Sequence, residues 1–175
     1  MKTTHESTPA TLPEPLVVSR IFQASPAVVF QAWSSADHLK NWFCPAVYTV
    51  AEARVEFRAG GDFHICMRSP EGRDYWTKGK FVEISPHGRL VIDMYAVGEA
   101  DAPLFRAYTA VTFTAVGGVT RMEVTQNYTL FEASAAQMIQ GTPRGWGETL
   151  DKLEGEIARI RGVEPASRSV VHATF

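Results

Sequence analysis

The chain has 175 residues, and its 17 basic and 19 acidic side chains leave a net charge of −2. This length suits a single domain with a hydrophobic core. The sequence has neither a basic run typical of nucleic-acid or anionic-membrane binding nor an apolar stretch long enough to span a membrane. We therefore expect no nucleic acid and no membrane among its partners.

The first fifteen residues are polar and include three prolines, which predicts a flexible tail and not a secretory signal peptide. The two cysteines, Cys44 and Cys66, have no His or Cys companions at metal-ligand spacing. We interpret them as reduced thiols of a cytoplasmic protein. No residue pattern indicates a metal site, a cofactor or a catalytic residue, so we predict none of the three.

The segment after the tail predicts one strand followed by two short helices. Residues 16–22 are rich in β-branched side chains, which favour a strand. Ser25 and Pro26 form a helix-start signal, with Ser at the cap and Pro in the first turn. A second short helix is predicted over 36–42 and ends before Pro45.

From residue 47 the apolar residues recur at a period of two, which is typical of half-buried strands. Turn signals separate the segments, and Gly117-Gly118 is the strongest hairpin signal among them. Successive strands at hairpin spacing predict an antiparallel meander. The predicted strands cover residues 47–57, 63–67, 75–84, 90–94, 105–113 and 120–128.

A long amphipathic helix is predicted near the end of the chain, after a shorter one over 133–140. Thr142-Pro143 indicates where the helix restarts, and Gly162 suits its end. Its apolar stripe must pack on the sheet, and such a helix can close a curved sheet into a pocket. Glu148 and Lys152 lie four apart on another face, in the order that favours an ion pair. The stripe consists of Trp146, Leu150, Leu153, Ile157 and Ile160.

Five short segments carry a resemblance to a known family: ASPAVVFQAW at 24–33, HLKNWF at 38–43, RAGGDF at 58–63, GKFVEISPHGRLV at 79–91 and GWGETLDKL at 145–153. They resemble the START-like (SRPBCC) superfamily, and within it the homologues of the ATPase activator of the 90-kDa heat-shock protein, the AHSA-like family. The resemblance implies an α+β helix-grip (START/Bet v 1-like) fold. In that fold a curved antiparallel sheet wraps around a long C-terminal helix. We place this domain at 16–162, between tails at 1–15 and 163–175.

Three polar residues share the apolar faces of their strands: Thr109, Gln126 and Tyr128. A buried hydroxyl, amide or phenol without a partner costs roughly 1–3 kcal/mol. These groups therefore either hydrogen-bond one another or face a cavity, and polar groups in an apolar cleft are typical of a ligand site. By contrast, strand parity places Asp93, Tyr95, Arg106 and Glu123 on the solvent face, which disfavours acid–base chemistry there.

Strand parity and the helix stripe give a set of candidate ligand-binding residues on the inner face. Tyr75 and Thr77 belong to it if their strand has no bulge before Phe81. The full set is Trp42, Phe63, Ile65, Met67, Tyr75, Thr77, Phe81, Thr109, Val111, Val124, Gln126, Tyr128 and Trp146.

These residues predict binding of a small hydrophobic or aromatic molecule between the sheet and the C-terminal helix. The resemblance leaves two alternatives open. One is an enzyme of the cyclase, hydrolase or lyase type that uses polar cavity residues. The other is an interaction module that modulates a chaperone in the stress response. A homodimer also stays open.

Overall fold

A computed structural model describes residues 13–162 of the chain. The predicted C-terminal tail, 163–175, lies outside the described residues. So does the predicted N-terminal tail, apart from residues 13–15. Both tails therefore stay predictions.

Seven antiparallel strands form one sheet in the order β1-β7-β6-β5-β4-β3-β2. Neighbours in the sheet are also neighbours in sequence, except that β1 pairs with β7, with Leu16 opposite Gln126. The predicted meander is confirmed. The elements are β1 (Leu16–Phe22), α1 (Pro26–Gln31), α2 (Ala36–Leu39), β2 (Thr49–Val55), β3 (Asp62–Arg68), β4 (Asp74–Ser85), β5 (Arg89–Val97), β6 (Pro103–Val116), β7 (Val119–Leu130), α3 (Ala136–Gln140) and α4 (Thr142–Arg161).

The two short helices begin where their sequence signals predict. The hydroxyl of Ser25 accepts a hydrogen bond from the amide of Val28, and Pro26 occupies the first turn of α1. The helix α2 is shorter than predicted, because the chain tightens into turns after Leu39. The amide of Trp42 donates to the carbonyl of Leu39, three residues back, where an α-helix would continue four residues back.

The long helix α4 packs on the inner face of the sheet, as its apolar stripe predicts. It begins at Thr142 and ends at Arg161, and the following Gly162 caps it with a left-handed φ of 68°. Trp146, Leu150, Leu153 and Ile157 are buried on this stripe, and Ile160 is partly buried. The sheet therefore grips the helix, which confirms the helix-grip fold.

A buried carboxylate ties α2 to α4. The side chain of Glu156 is 1% exposed, and its Oε1 lies 2.9 Å from His38 Nδ1. Arg159 donates to both carboxylate oxygens, at 2.7 and 3.1 Å. Burial alone would raise the pKa of Glu156, but the hydrogen bonds from Arg159 and His38 outweigh it and lower the pKa.

The stabilising effect of Glu156 should disappear in acid. A carboxyl with a lowered folded-state pKa stabilises the fold above the ordinary glutamate pKa of about 4.3, and this effect is lost as pH falls through the folded-state pKa. The variant Glu156→Gln should therefore be less stable than the parent near neutral pH. The difference between their free energies of unfolding should shrink as the pH falls below about 4. Urea unfolding over a pH series measures it.

The matched control for this prediction is Glu154→Gln on the same helix. The side chain of Glu154 is 52% exposed and lies 3.4 Å from Arg20. An exposed ion pair of this kind contributes little to stability, so the control should follow the parent at every pH. A difference between Glu156→Gln and the parent that stays constant with pH would contradict the assignment.

Candidate functional site

A cavity of about 490 Å³ lies between one end of the sheet, the loop that follows α2, and the helices α3 and α4. Its wall is mostly apolar, and the exposed Met138 belongs to it. The lining residues are Phe43, Cys44, Pro45, Tyr48, Met67, Tyr75, Trp76, Thr77, Met94, Ala96, Val97, Leu104, Phe105, Ala107, Gln126, Gln137, Met138, Gly141, Thr142, Gly145, Trp146 and Thr149.

Small residues on both walls leave this space unfilled. On the sheet side, Ala96 and Ala107 occupy inward positions opposite Phe105 and Met94. On the helix side, Gly145 carries no side chain, and a Cβ built there would lie 3.9 Å from Pro45. The sheet and helix therefore stay apart at this end, whereas larger side chains fill the rest of the interface.

One polar network lies in the cavity wall, centred on Gln126. Its Oε1 accepts from Trp146 Nε1 at 3.0 Å and from the Tyr128 hydroxyl at 2.8 Å, and its Nε2 donates to Thr109 Oγ1 at 3.0 Å. The polar groups that the sequence placed on the inner face thus hydrogen-bond one another. Gln126 also lines the cavity, whereas Thr109 and Tyr128 lie behind it.

The Tyr128 phenol is held within the network and does not reach the cavity. Its oxygen also lies 2.8 Å from Thr142 Oγ1, and Thr142 donates to the carbonyl of Ile139. Burial raises the pKa of Tyr128, and the hydrogen bond with Thr142 offsets only part of that effect. The phenol therefore stays protonated at neutral pH and acts as a hydrogen-bond donor.

The structure brings part of the predicted ligand-binding set to the cavity. The predicted residues that line it are Met67, Tyr75, Thr77, Gln126 and Trp146. The bulge in β4 falls between Phe81 and Glu83, so it does not disturb the preceding residues, and Tyr75 and Thr77 face inward.

The rest of the predicted set does not line the cavity and lies in the core. Strand parity gives the inner face correctly, but helices and aromatic side chains cover most of that face. Phe63 packs edge-on against Phe43 and Phe81, and the Trp42 indole donates to the carbonyl of Ala32. The predicted residues outside the cavity wall are Trp42, Phe63, Ile65, Phe81, Thr109, Val111, Val124 and Tyr128, all buried.

The solvent-face prediction for the acid–base candidates agrees with the structure. Arg106 forms two hydrogen bonds with the Asp93 carboxylate, at 2.7 and 3.0 Å, on the face of the sheet opposite the cavity. The Arg106 guanidinium also lies over the ring of Tyr95. These side chains therefore cannot act on a molecule in the cavity.

The predicted ion pair between Glu148 and Lys152 is wrong. Lys152 Nζ donates to Pro45 O and Tyr48 O, both at 2.8 Å, and to Cys44 Sγ at 3.1 Å. Three acceptors in the loop after α2 match its three hydrogens better than one carboxylate does. Glu148 lies instead 3.7 Å from Arg144.

The loop between Phe43 and Tyr48 was missed as part of the site. It has no hydrophobic period, and Pro45 indicated only where a helix stops.

Within residues 13–162, no group of three or more His, Cys, Asp or Glu side chains is placed to hold a metal ion. No helix in the same range is long and apolar enough to cross a membrane.

Comparison with known families identifies the relatives of this chain. Residues 23–158 match the sequence model of a family described as Activator of Hsp90 ATPase homolog 1-like protein, AHSA1. The chain belongs to this family. The match confirms the AHSA-like resemblance within the START-like superfamily. No curated protein matches the chain significantly.

Solved structures share the fold of this AHSA1 family member. A protein from Nitrosomonas europaea is 22% identical, with a TM-score of 0.70 over 89% of this chain and 99% of that one. A solution structure from Arthrobacter aurescens is 19% identical, with a TM-score of 0.74 over 96% and 99%. An AHSA1 protein from Silicibacter pomeroyi is 21% identical, with a TM-score of 0.69 over 83% and 99%. At these identities the likeness shows the fold alone.

Proposed function

We propose that this AHSA1 family member binds a small, uncharged apolar or aromatic molecule in the cavity between the sheet and α4. The observation that carries the proposal is the cavity itself, with a volume of about 490 Å³ and a largely apolar wall. Ligand sites in proteins occupy roughly 300–1,000 Å³ and combine apolar walls with a few polar groups. The Gln126 network supplies such polar groups.

The lining indicates that the ligand carries no charge. Among residues 13–162, those that form the wall include no Asp, Glu, Lys, Arg or His. An ionised group buried there would lose its hydration without gaining an oppositely charged partner, which is strongly unfavourable. Apolar surface is favourable instead, at roughly 25 cal/mol per Å² removed from water.

The amide of Gln126 indicates a hydrogen-bond acceptor on the ligand. Its oxygen already accepts two hydrogen bonds, from Trp146 and Tyr128. Its nitrogen carries two hydrogens, and in the described part of the chain it donates one hydrogen bond, to Thr109. The other hydrogen suits a carbonyl or ether oxygen on a bound molecule.

The alternatives have less support in the structure. Acid–base catalysis needs a titratable group in contact with the ligand. Tyr128, the phenol of the polar network, lies behind the wall, and its raised pKa keeps its proton in place at neutral pH. The titratable side chains that do line the wall are Cys44, Tyr48 and Tyr75, with no Asp, Glu or His among the described lining residues to act as a general base. The family description names an activator of the Hsp90 ATPase, so a chaperone-directed role is the remaining alternative. A chaperone-directed role would leave the open cavity without a purpose, whereas ligand binding accounts for it.

The proposal predicts that 4-phenyl-2-butanone, an uncharged aromatic ketone, stabilises the protein. A ligand that binds only the folded state adds about 2.7 kcal/mol at a concentration of 100 times its Kd. A thermal melt at increasing ketone concentration measures the shift in Tm. The cavity-filling variants Ala107→Leu and Ala96→Leu should abolish the shift, because both alanines line the cavity.

The control is Ala115→Leu, which adds the same atoms at an exposed position of β6, the strand of Ala107. It should keep the full ketone-dependent shift. Val124 is unsuitable for filling the cavity, because it is fully buried in the core and a larger side chain would overpack it. If neutral aromatic ketones, esters and hydrocarbons all leave the Tm of the parent unchanged, the binding function fails and the chaperone-directed role moves ahead.

A further inference from the structure

A thiol and an ammonium group meet at the cavity wall. Lys152 Nζ lies 3.1 Å from Cys44 Sγ and donates to it. Its other two hydrogens bond the carbonyls of Pro45 and Tyr48, both at 2.8 Å. With an acceptor for each of its three hydrogens, the ammonium is fixed in place beside the sulfur.

This environment favours nucleophilic chemistry at Cys44. The Cys44 thiol itself donates to the carbonyl of Tyr48 at 3.3 Å. The ammonium beside the sulfur would stabilise the negative charge that develops when the thiol gives up its proton and attacks. Cys44 is 3% exposed and lines the cavity, so a molecule in the cavity has access to this residue. Lys152 itself is absent from the lining, whereas Cys44 belongs to it.

The second cysteine provides an internal comparison. Cys66 is fully buried on β3, with Trp76 and Glu52 opposite it on the neighbouring strands, and does not line the cavity. Burial raises the pKa of the Cys66 thiol, which disfavours its reactive form. Among residues 13–162, Cys44 is thus the cysteine that combines a neighbouring ammonium with access to the cavity.

We propose that Cys44 captures α,β-unsaturated ketones and related electrophiles held in the cavity, and that Lys152 is its positioning residue. The sulfur forms a bond to the β-carbon, the carbon–carbon π bond breaks, and the thiol proton ends on the α-carbon by way of solvent. The addition is complete without an oxidant or a leaving group. Such molecules are uncharged and carry an acceptor oxygen, as the wall requires, so the inference rests on the proposed binding function.

The test uses the full chain and 4-phenyl-3-buten-2-one, the unsaturated counterpart of the ketone used above. Intact-mass measurement over time should show a single adduct, and peptide mapping should place it on Cys44. The rate should saturate with concentration, and excess 4-phenyl-2-butanone should slow it. Cys44→Ser should form no adduct, whereas Cys66→Ala should react like the parent.

The variant Lys152→Met separates a chemical role from a structural one. We expect the maximal rate of adduct formation to fall about tenfold or more, with the half-saturating concentration and the Tm shift by 4-phenyl-2-butanone unchanged. If Lys152→Met weakens the fold, Lys152→Gln, which keeps a hydrogen-bond donor to the loop, serves for the same measurement.

The outcomes distinguish the two proposals. If 4-phenyl-2-butanone binds but the parent forms no adduct at Cys44, capture is overturned and the binding function stands. Equal maximal rates in the parent and in a folded Lys152 variant overturn the role of Lys152. Adduct formation that neither saturates nor responds to the saturated ketone overturns capture from the cavity, whereas the binding function then depends only on the Tm shift caused by 4-phenyl-2-butanone.

Discussion

Replacing Trp146 by Ala should destabilise the fold by roughly 3–5 kcal/mol, the range for removal of a large buried aromatic. Trp146 is 8% exposed. It stacks on Trp33 with 6.5 Å between ring centroids and meets Phe43 edge-on at 5.8 Å. The change would also leave the oxygen of Gln126 without one of its two donors. Against a typical total stability of about 5–15 kcal/mol, this is a severe loss.

Urea unfolding of Trp146→Ala measures the loss directly, as a lower midpoint at an unchanged slope. The matched variant Trp146→Phe keeps an aromatic ring at this position and removes the indole N–H. It should cost clearly less than the Ala variant, because most of the packing stays. A midpoint for Trp146→Ala close to that of the parent would show that α4 does not depend on this contact.

Replacing Trp42 by Ala should cost a similar amount, roughly 3–5 kcal/mol, although Trp42 does not line the cavity. Its side chain is fully buried and packs edge-on against Trp33 at 4.8 Å. Its indole N–H donates to the carbonyl of Ala32 at 2.9 Å, which the substitution would leave without this donor inside the core. The residue therefore anchors the segment after α2 to α1.

The milder variant Trp42→Phe distinguishes a core residue from a ligand-binding one. It should lower the urea midpoint while keeping the Tm shift caused by 4-phenyl-2-butanone. Met67→Ala is the comparison from the opposite class, because Met67 lines the cavity and is only partly buried. It should change ketone binding more than Trp42→Phe does. If a stable Trp42→Phe protein loses the Tm shift caused by the ketone, Trp42 takes part in ligand binding.

The sequence predicted the fold in detail because most of its signals are local. Ser25 and Pro26 determine a helix start within one turn, and Gly162 ends α4 through its own backbone conformation. Alternation of apolar residues likewise reveals which side of each strand is buried. Where the prediction failed, as at the end of α2, the deciding interactions came from outside the segment, since Trp42 turns inward to meet Ala32 and Trp33.

The cavity could be predicted only in part, because parity gives a face and not a position along it. Val124 and Gln126 share the inner face of β7, but only Gln126 lies where the helix stands away from the sheet. The gap depends on small residues in separate elements, such as Ala107 on β6 and Gly145 on α4. Only the folded structure brings these residues to the same cavity. The contact between Cys44 and Lys152 likewise joins a loop without periodicity to a helix far along the chain.

The pairing of β1 with β7 sets an order for folding. From β2 onward each strand can pair with the one just before it, through short loops that close at little entropic cost. The strand β1 has to wait, because its partner spans Val119–Leu130. During synthesis the first strand therefore leaves the ribosome before its partner, and its edge can be paired only once β7 has been made.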